Sequence, residues 1–319
     1  MTKTKIGLMA LFAGLTVGNV LAADFTNYQT GDVIIGFRNG GTYNIVVNAG
    51  QVSVLTNAAP NKRISINALT SAQLTSAFGG ADSLNWSAFT WTTNGATTLF
   101  MTRPRANINS KSSSWNSQLG SLQAGVALNM STIPVGASYI YGKNAAISPS
   151  TAGSVIEPQS PGSFFAGQSY YTSLFGGLSS PTFGGLFQGN PENSTPGNFS
   201  TSGTVVRSDF YQIPPGPGGN VNVKWLGYFE FSSNGALTYV AYPSSTPVLN
   251  SISRSGDVST ISYVTGLYGT YTLRATNTLA YGVSTNWPAV SVLSSGDTAV
   301  HTAVHTTSET NLFYTITAE

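Results

Sequence analysis

At 319 residues, 41% hydrophobic and only 8% charged, the chain has core enough for two domains but little Glu, Lys and Arg for long soluble helices. Its complete lack of cysteine excludes disulfides, thiolate nucleophiles, thiolate metal sites and anchoring through a lipidated cysteine. The formal charge of +2 rests on Lys3 and Lys5, without which the 13 basic residues no longer outnumber the 11 acidic ones; the electrostatic footprint of a nucleic-acid binder is excluded.

Surface polarity must therefore come from Ser, Thr, Asn and Gln, a composition that suits extracellular β proteins. Residues 1–23 read as a signal peptide, with Lys3 and Lys5 before an apolar run at 6–17. Ala22 and Ala23 are the small residues a cleavage site needs. That run is too short to serve as a span, and no later stretch has the length of one, so no transmembrane segment is expected in the mature chain.

Residues 33–37 and 43–47 are β-branched and aromatic runs joined by Arg38-Asn39-Gly40-Gly41-Thr42, a turn whose residues tolerate positive φ. The pattern predicts a hairpin buried on both faces, the first pair of the sheet. Short strands are expected at 52–55 and 64–66, then a helix over 69–78 capped by Thr70 or Ser71 and ended by Gly79-Gly80. Phe89 and Trp91 share one face of the next strand, which Asn94-Gly95 turns into another at 97–102. Arg103-Pro104-Arg105 breaks that strand. Ser113 or Ser114 then caps a second short helix, in which Trp115, Leu119, Leu122 and Val126 recur at helical spacing.

Residues 149–219 are a Gly/Pro/aromatic-rich insert, closed by the Pro214-Pro215-Gly216-Pro217-Gly218-Gly219 spacer. Its aromatics are either buried against the domain, the commoner use, or exposed for binding. In the second case Tyr170, Tyr171, Phe175 and Phe183 are the candidate binding residues. A strong hairpin signal follows at 225–231 and 237–240. Residues 243–247 read as a linker, and strands at 248–252, 260–264, 270–275, 289–293, 299–304 and 312–316 carry the mark of a small β-sandwich.

Gly31-Asp32-Val33-Ile34-Ile35-Gly36-Phe37-Arg38, with Tyr43-Asn44-Ile45-Val46-Val47-Asn48-Ala49-Gly50 after it, resembles the opening of a family of uncharacterised exported bacterial proteins. Leu74 to Gly79, Trp91 and the hairpin Leu226-Gly227-Tyr228-Phe229-Glu230-Phe231 with Asn234-Gly235-Ala236-Leu237-Thr238 extend the likeness over roughly 24–242. Many such proteins end in a PEP-CTERM sorting tail, which this sequence lacks. Residues 247–319 instead resemble fibronectin-like modules, with Tyr271-Thr272-Leu273-Arg274-Ala275-Thr276-Asn277 and Phe313-Tyr314-Thr315-Ile316. The resemblance implies export and a fold; it supplies no catalytic residue.

Chemistry is sparse. No Gly-x-Ser-x-Gly elbow occurs, and a set built on Asp297 and His301 has only the abundance of serine behind it. His301 and His305 on a strand would share a face roughly 13 Å apart, too far to chelate one metal, and read as solvent-facing. A glycan hydrolase would need two carboxylates across a cleft, for which Asp209 and Glu230 are the best pair. Glu192 reads as a loop tip, and Asp32 as a structural acceptor for turn amides or a partner for Arg38. No calcium loop or phosphate-cradling glycine motif is present, so no cofactor or metal is expected.

The expected protein is mainly β. A larger antiparallel β-rich domain with two short helices fills 24–242, and a small immunoglobulin/fibronectin-like sandwich fills 248–319. It would be a secreted, non-catalytic structural or adhesive protein at the cell surface or outside the cell. Its partners would be matrix, cell-surface or polysaccharide ligands or a second copy of itself, and not nucleic acid. Carbohydrate binding is the alternative, and a hydrolase using Asp209 and Glu230 the third reading.

Overall fold

The structure is a computed structural model that describes residues 23–59, 62–108, 110–143, 145–159, 170–175, 189–218, 222–241, 247–264, 271–278, 287–293, 300–309 and 311–318. Nearly all of the expected signal peptide, residues 160–169, 176–188 (with Phe183) and 219 of the insert, and 243–246 of the expected linker lie outside the described residues.

A 3-10 turn at Phe25–Asn27 leads into β1 (Asp32–Arg38) and β2 (Tyr43–Gln51). All seven residues of β1 are buried, as a strand covered on both faces requires. Its register with β2 sets Phe37 opposite Ile45 and Arg38 opposite Asn44. There follow α1 (Val52–Thr56), β3 (Arg63–Ser65), α2 (Ser71–Phe78), β4 (Asn85–Thr92), β5 (Thr98–Pro104) and α3 (Gly120–Gly142). Then come β6 (Ile147–Thr151), β7 (Ser154–Pro158), α4 (Tyr171–Phe175), β8 (Asn193–Ser194), α5 (Phe199–Ser202), β9 (Val205–Ile213), β10 (Lys224–Ser232) and β11 (Leu237–Ala241).

These strands form one antiparallel sheet of 11 strands, in the order β3-β11-β10-β9-β5-β4-β1-β2-β7-β6 with β8 on β4. The sheet curls. Phe37 on β1 lies 5.2 Å from Phe231 on β10, ring to ring, although three strands separate them along the sheet. The expected closing hairpin therefore meets the opening one across the inner core, not by strand pairing. Two helices bridge the ends of the curl: α1 touches both β2 and β11, and α2 packs on β2 and β6 while Leu74 abuts Gly235 beyond β10. Thr70 and Gln73 give α2 a reciprocal capping box, and Gly79 ends it at φ +80°.

The alternation of side chains sorts the sheet into two layers. Inward go Val33, Ile35, Phe37, Trp86, Phe210 and Phe229. Outward go Ile34, Phe89, Met101 and Tyr211, under α3 and α4.

Two expectations fail here. Residues 52–55 form α1 and not a strand, because Val52 and Leu55 bury at a three-residue spacing while Val54 is exposed. The second helix is long, and it starts at Gly120. Trp115 is buried ahead of it, and Leu119 and Leu122 are 59% and 40% exposed. Its buried stripe is Gln123, Val126, Ala127, Met130, Ile133, Pro134, Ala137 and Ile140, mostly small or flexible residues whose helical spacing is hidden by an overall apolar sequence. No charged residue lies in it; burial in the outer layer supports this helix in place of ion pairs.

The last strands are β12 (Val248–Ser255), β13 (Val258–Val264), β14 (Tyr271–Thr276), β15 (Ala289–Leu293), β16 (His301–Thr306) and β17 (Phe313–Ala318). They make two three-stranded sheets, β12-β13-β16 and β15-β14-β17, which share a core of Ile261, Tyr263, Tyr271, Leu273 and Leu293. Two antiparallel sheets closing over one apolar core make a small β-sandwich.

Candidate functional site

The residues singled out for chemistry in the larger domain fall on the outer face of the curled sheet, where they form a polar seam beside the apolar layer. Strand register builds the seam. Glu157 on β7 lies opposite Asn44, Asn44 opposite Arg38, and Arg38 opposite Asn85. Farther along, Arg103 lies opposite Asp209 and Asp209 opposite Tyr228. Each pair faces the same way because directly opposed residues on neighbouring strands share a face.

At the β1 end Arg38 donates to both oxygens of Glu192, its Nε at 2.8 Å from Oε1, with both side chains 1% exposed. Glu192 is thus no loop tip. Pro191 accepts a hydrogen bond from Thr102, and Asn193–Ser194 pairs with β4 as β8, which draws the loop into the seam. Beside this pair the Tyr171 hydroxyl lies 2.9 Å from Ser87 Oγ. The Tyr171 ring rests on the backbone of Gly36, where an added Cβ would come within 2.0 Å of it. The Gly36-Phe37-Arg38 run is so explained: space for Tyr171, an inward core ring, and an outward grip on Glu192.

Glu157 is fully buried. Its Oε1 accepts from the Tyr171 amide at 2.8 Å and from Asn44 Nδ2 at 3.3 Å, while Oε2 has no partner among the described residues. Burial outweighs these two bonds and pushes its carboxyl up to about 8. Burial, then the nearby Glu157 carboxylate, raises the Tyr170 hydroxyl.

At the β9–β10 end Asp209 is fully buried and accepts four hydrogen bonds, from Arg105 Nε at 3.0 Å and Nη2 at 2.6 Å, Trp225 Nε1 at 2.9 Å and the Ser112 amide at 2.6 Å. Glu230 accepts from Arg63 at 2.6 Å and Arg207 at 2.9 Å. Burial pulls the Glu230 carboxyl up, but the two arginines together hold it below the usual carboxylate range. The guanidinium groups of Arg105 and Arg207 stand 4.3 and 5.2 Å from the centre of the Tyr228 ring. Arg103 stands 4.8 Å from the centre of the Trp115 ring and donates to the Ser114 carbonyl. These contacts strap the segment between β5 and α3 to the sheet.

Asp209 and Glu230 do come together, two residues apart in register on one face. What they lack is freedom. A hydrolase needs one carboxyl with a raised pKa and an open approach, and Glu230 is shifted the other way. Tyr170 and Tyr171 are buried under the covering layer, which removes their faces from stacking on a ligand; nothing is described of the Phe175 side chain. Asp32 accepts from the Gln29 amide, Asn48 and Gln51, so its partners are turn and strand amides and not Arg38.

The two histidines also depart from expectation. They share a face of β16 but point toward the facing sheet, half-buried, with His301 stacked on Tyr263 and His305 Nδ1 3.0 Å from the Tyr314 hydroxyl. Among the described residues no group of three His, Cys, Asp or Glu is placed to hold a metal, and no helix is long and apolar enough to cross a membrane.

Sequence reasoning missed Glu157 and the Arg38–Glu192 pair. The partners of that pair are 154 positions apart, and no local pattern joins them. Compared with family models, curated proteins and solved structures, the chain matches none.

Proposed function

We propose that the protein is an exported, non-catalytic structural or adhesive protein. In this reading the curled sheet is a rigid scaffold and the smaller sandwich an appended module. The observation that supports it is the clamping of Asp209 and Glu230, each held by arginine, with Asp209 closed off from solvent. Export is supported by the charged start and apolar run of residues 1–23, and family membership by the opening strand and the 225–240 hairpin. The partner would be an uncharged surface or matrix polymer, since the mature chain carries no charge excess to attract nucleic acid.

The test is direct. The secreted chain is incubated with a panel of soluble polysaccharides, and new reducing ends are measured. None should form above the rate of a heat-denatured control. Hydrolysis that disappears in Glu230→Gln, with the melting temperature unchanged, would overturn the reading. Mass spectrometry of the secreted protein should find its N-terminus at Ala23 or Asp24.

A further inference from the structure

One cleft contrasts with the seam. It opens at one end of the sandwich, where the β16–β17 connection faces the end of β14 and the start of β15, and has a volume of about 460 Å3. That lies within the range of small-ligand pockets, about 300–1,000 Å3. Pro288, Val290 and Leu312 give it an apolar side. Asn277, His305 and Glu309 give it a polar one.

In the seam every acid is bonded; here two side chains, Asn277 and Glu309, are uncommitted. The Asn277 amide and the Glu309 carboxylate make no side-chain hydrogen bond among the described residues. The Glu309 backbone is meanwhile fixed by its amide donating to Thr307 Oγ1 at 3.2 Å. His305 spends one ring nitrogen on Tyr314, which orients the imidazole and leaves the other nitrogen available.

The chemistry of the lining narrows the occupant. Among the described residues no Lys or Arg lines the cleft, and Glu309 would repel a phosphate or carboxylate. A calcium ion wants six to eight oxygen ligands, and one carboxylate with one amide falls far short. What remains is a neutral molecule that both donates and accepts hydrogen bonds and carries an apolar face. A pyranose ring has this character: hydroxyls around its rim and C–H groups on its face.

We infer that this cleft binds a neutral sugar unit, with Asn277, His305 and Glu309 meeting hydroxyls and Pro288, Val290 and Leu312 meeting the C–H face. The inference rests on the attachment reading above, and gives the sandwich the gripping part. It places sugar contact away from Tyr170 and Tyr171.

The probes are methyl glucoside, methyl galactoside, methyl mannoside and N-acetylglucosamine, titrated into the full secreted chain and followed by amide chemical shifts. At least one should move the Asn277, His305 and Glu309 signals with a millimolar dissociation constant. Asn277→Ala and Glu309→Ala should each weaken that sugar about tenfold, as expected for one lost hydrogen bond involving a charged or amide group. Both positions are exposed, so their melting temperatures should match wild type. No shift with any of the four sugars, or binding unaffected by both substitutions, overturns the inference and leaves the non-catalytic reading standing. Inorganic phosphate or calcium chloride moving the same signals more tightly overturns it also. Cleavage of a bound glycoside would instead sink the non-catalytic reading while the cleft stood.

Discussion

Glu157 and Gly36 show how single residues decide whether the seam holds together. Between about pH 4.5 and about 8 Glu157 is protonated in the folded protein and ionised in the unfolded chain. The unfolded state then binds fewer protons, so stability falls as pH rises through that window. Glu157→Gln removes the titration. It should melt above wild type at pH 8 and close to it at pH 4.5, in calorimetric scans at both values. A variant less stable than wild type at pH 8 would mean that the ionised carboxylate is the form the fold wants. Gly36→Ala puts a methyl group into the Tyr171 ring. Overpacking of this kind costs about 1–3 kcal/mol, which should appear as a lower denaturant midpoint with the same slope.

Among the elements, the strands were legible in the sequence and the helices less so. Alternating or fully apolar runs bounded by glycine place β1, β2, β10 and β11, and all six strands of the sandwich, within a few residues of where they lie. Such signals are local. Trp115, Leu119 and Leu122 misled because helical spacing says nothing about which turn begins the helix, and α3 begins after them. Val52 to Leu55 misled because four residues fit a strand or a helical turn equally well, and packing against β2 and β11 chooses the turn. The buried hairpin yields a sharp contrast. Ile35→Asp would bring an unpaired charge into a fully buried position and should cost several kcal/mol of the roughly 5–15 kcal/mol that holds a domain. Thr42→Asp, exposed in the turn, should leave the melting temperature unchanged. Thermal melts of the two variants separate them; equal values would mean that the hairpin is not central to the core.

For the whole molecule, what local patterns could not reveal was the order of the strands. β1 sits between β2 and β4, and β11 ends beside β3, so the chain's early and late segments are interleaved. The candidate site shares this property. Asp209 and Glu230 could be singled out by type, but Arg105, Arg63 and Arg207 could be matched to them only through the register of β3, β5, β9, β10 and β11. Those arginines tie both acids into ion pairs across the outer face of the sheet. The separate sandwich predicts that residues 247–319 fold alone, which circular dichroism of that fragment would check.

The central claim, that the arginine-held acids of the seam hold the fold, is tested most directly by thermal unfolding of Asp209→Asn. Loss of the carboxylate leaves Arg105 buried without its counter-ion, and the one amide oxygen that remains cannot accept from both Trp225 and the Ser112 amide, which bond different oxygens of Asp209. Breaking one side of a buried pair costs about 3–5 kcal/mol, a drop of many degrees in melting temperature. That drop is the predicted result; a variant that melts with wild type would contradict it.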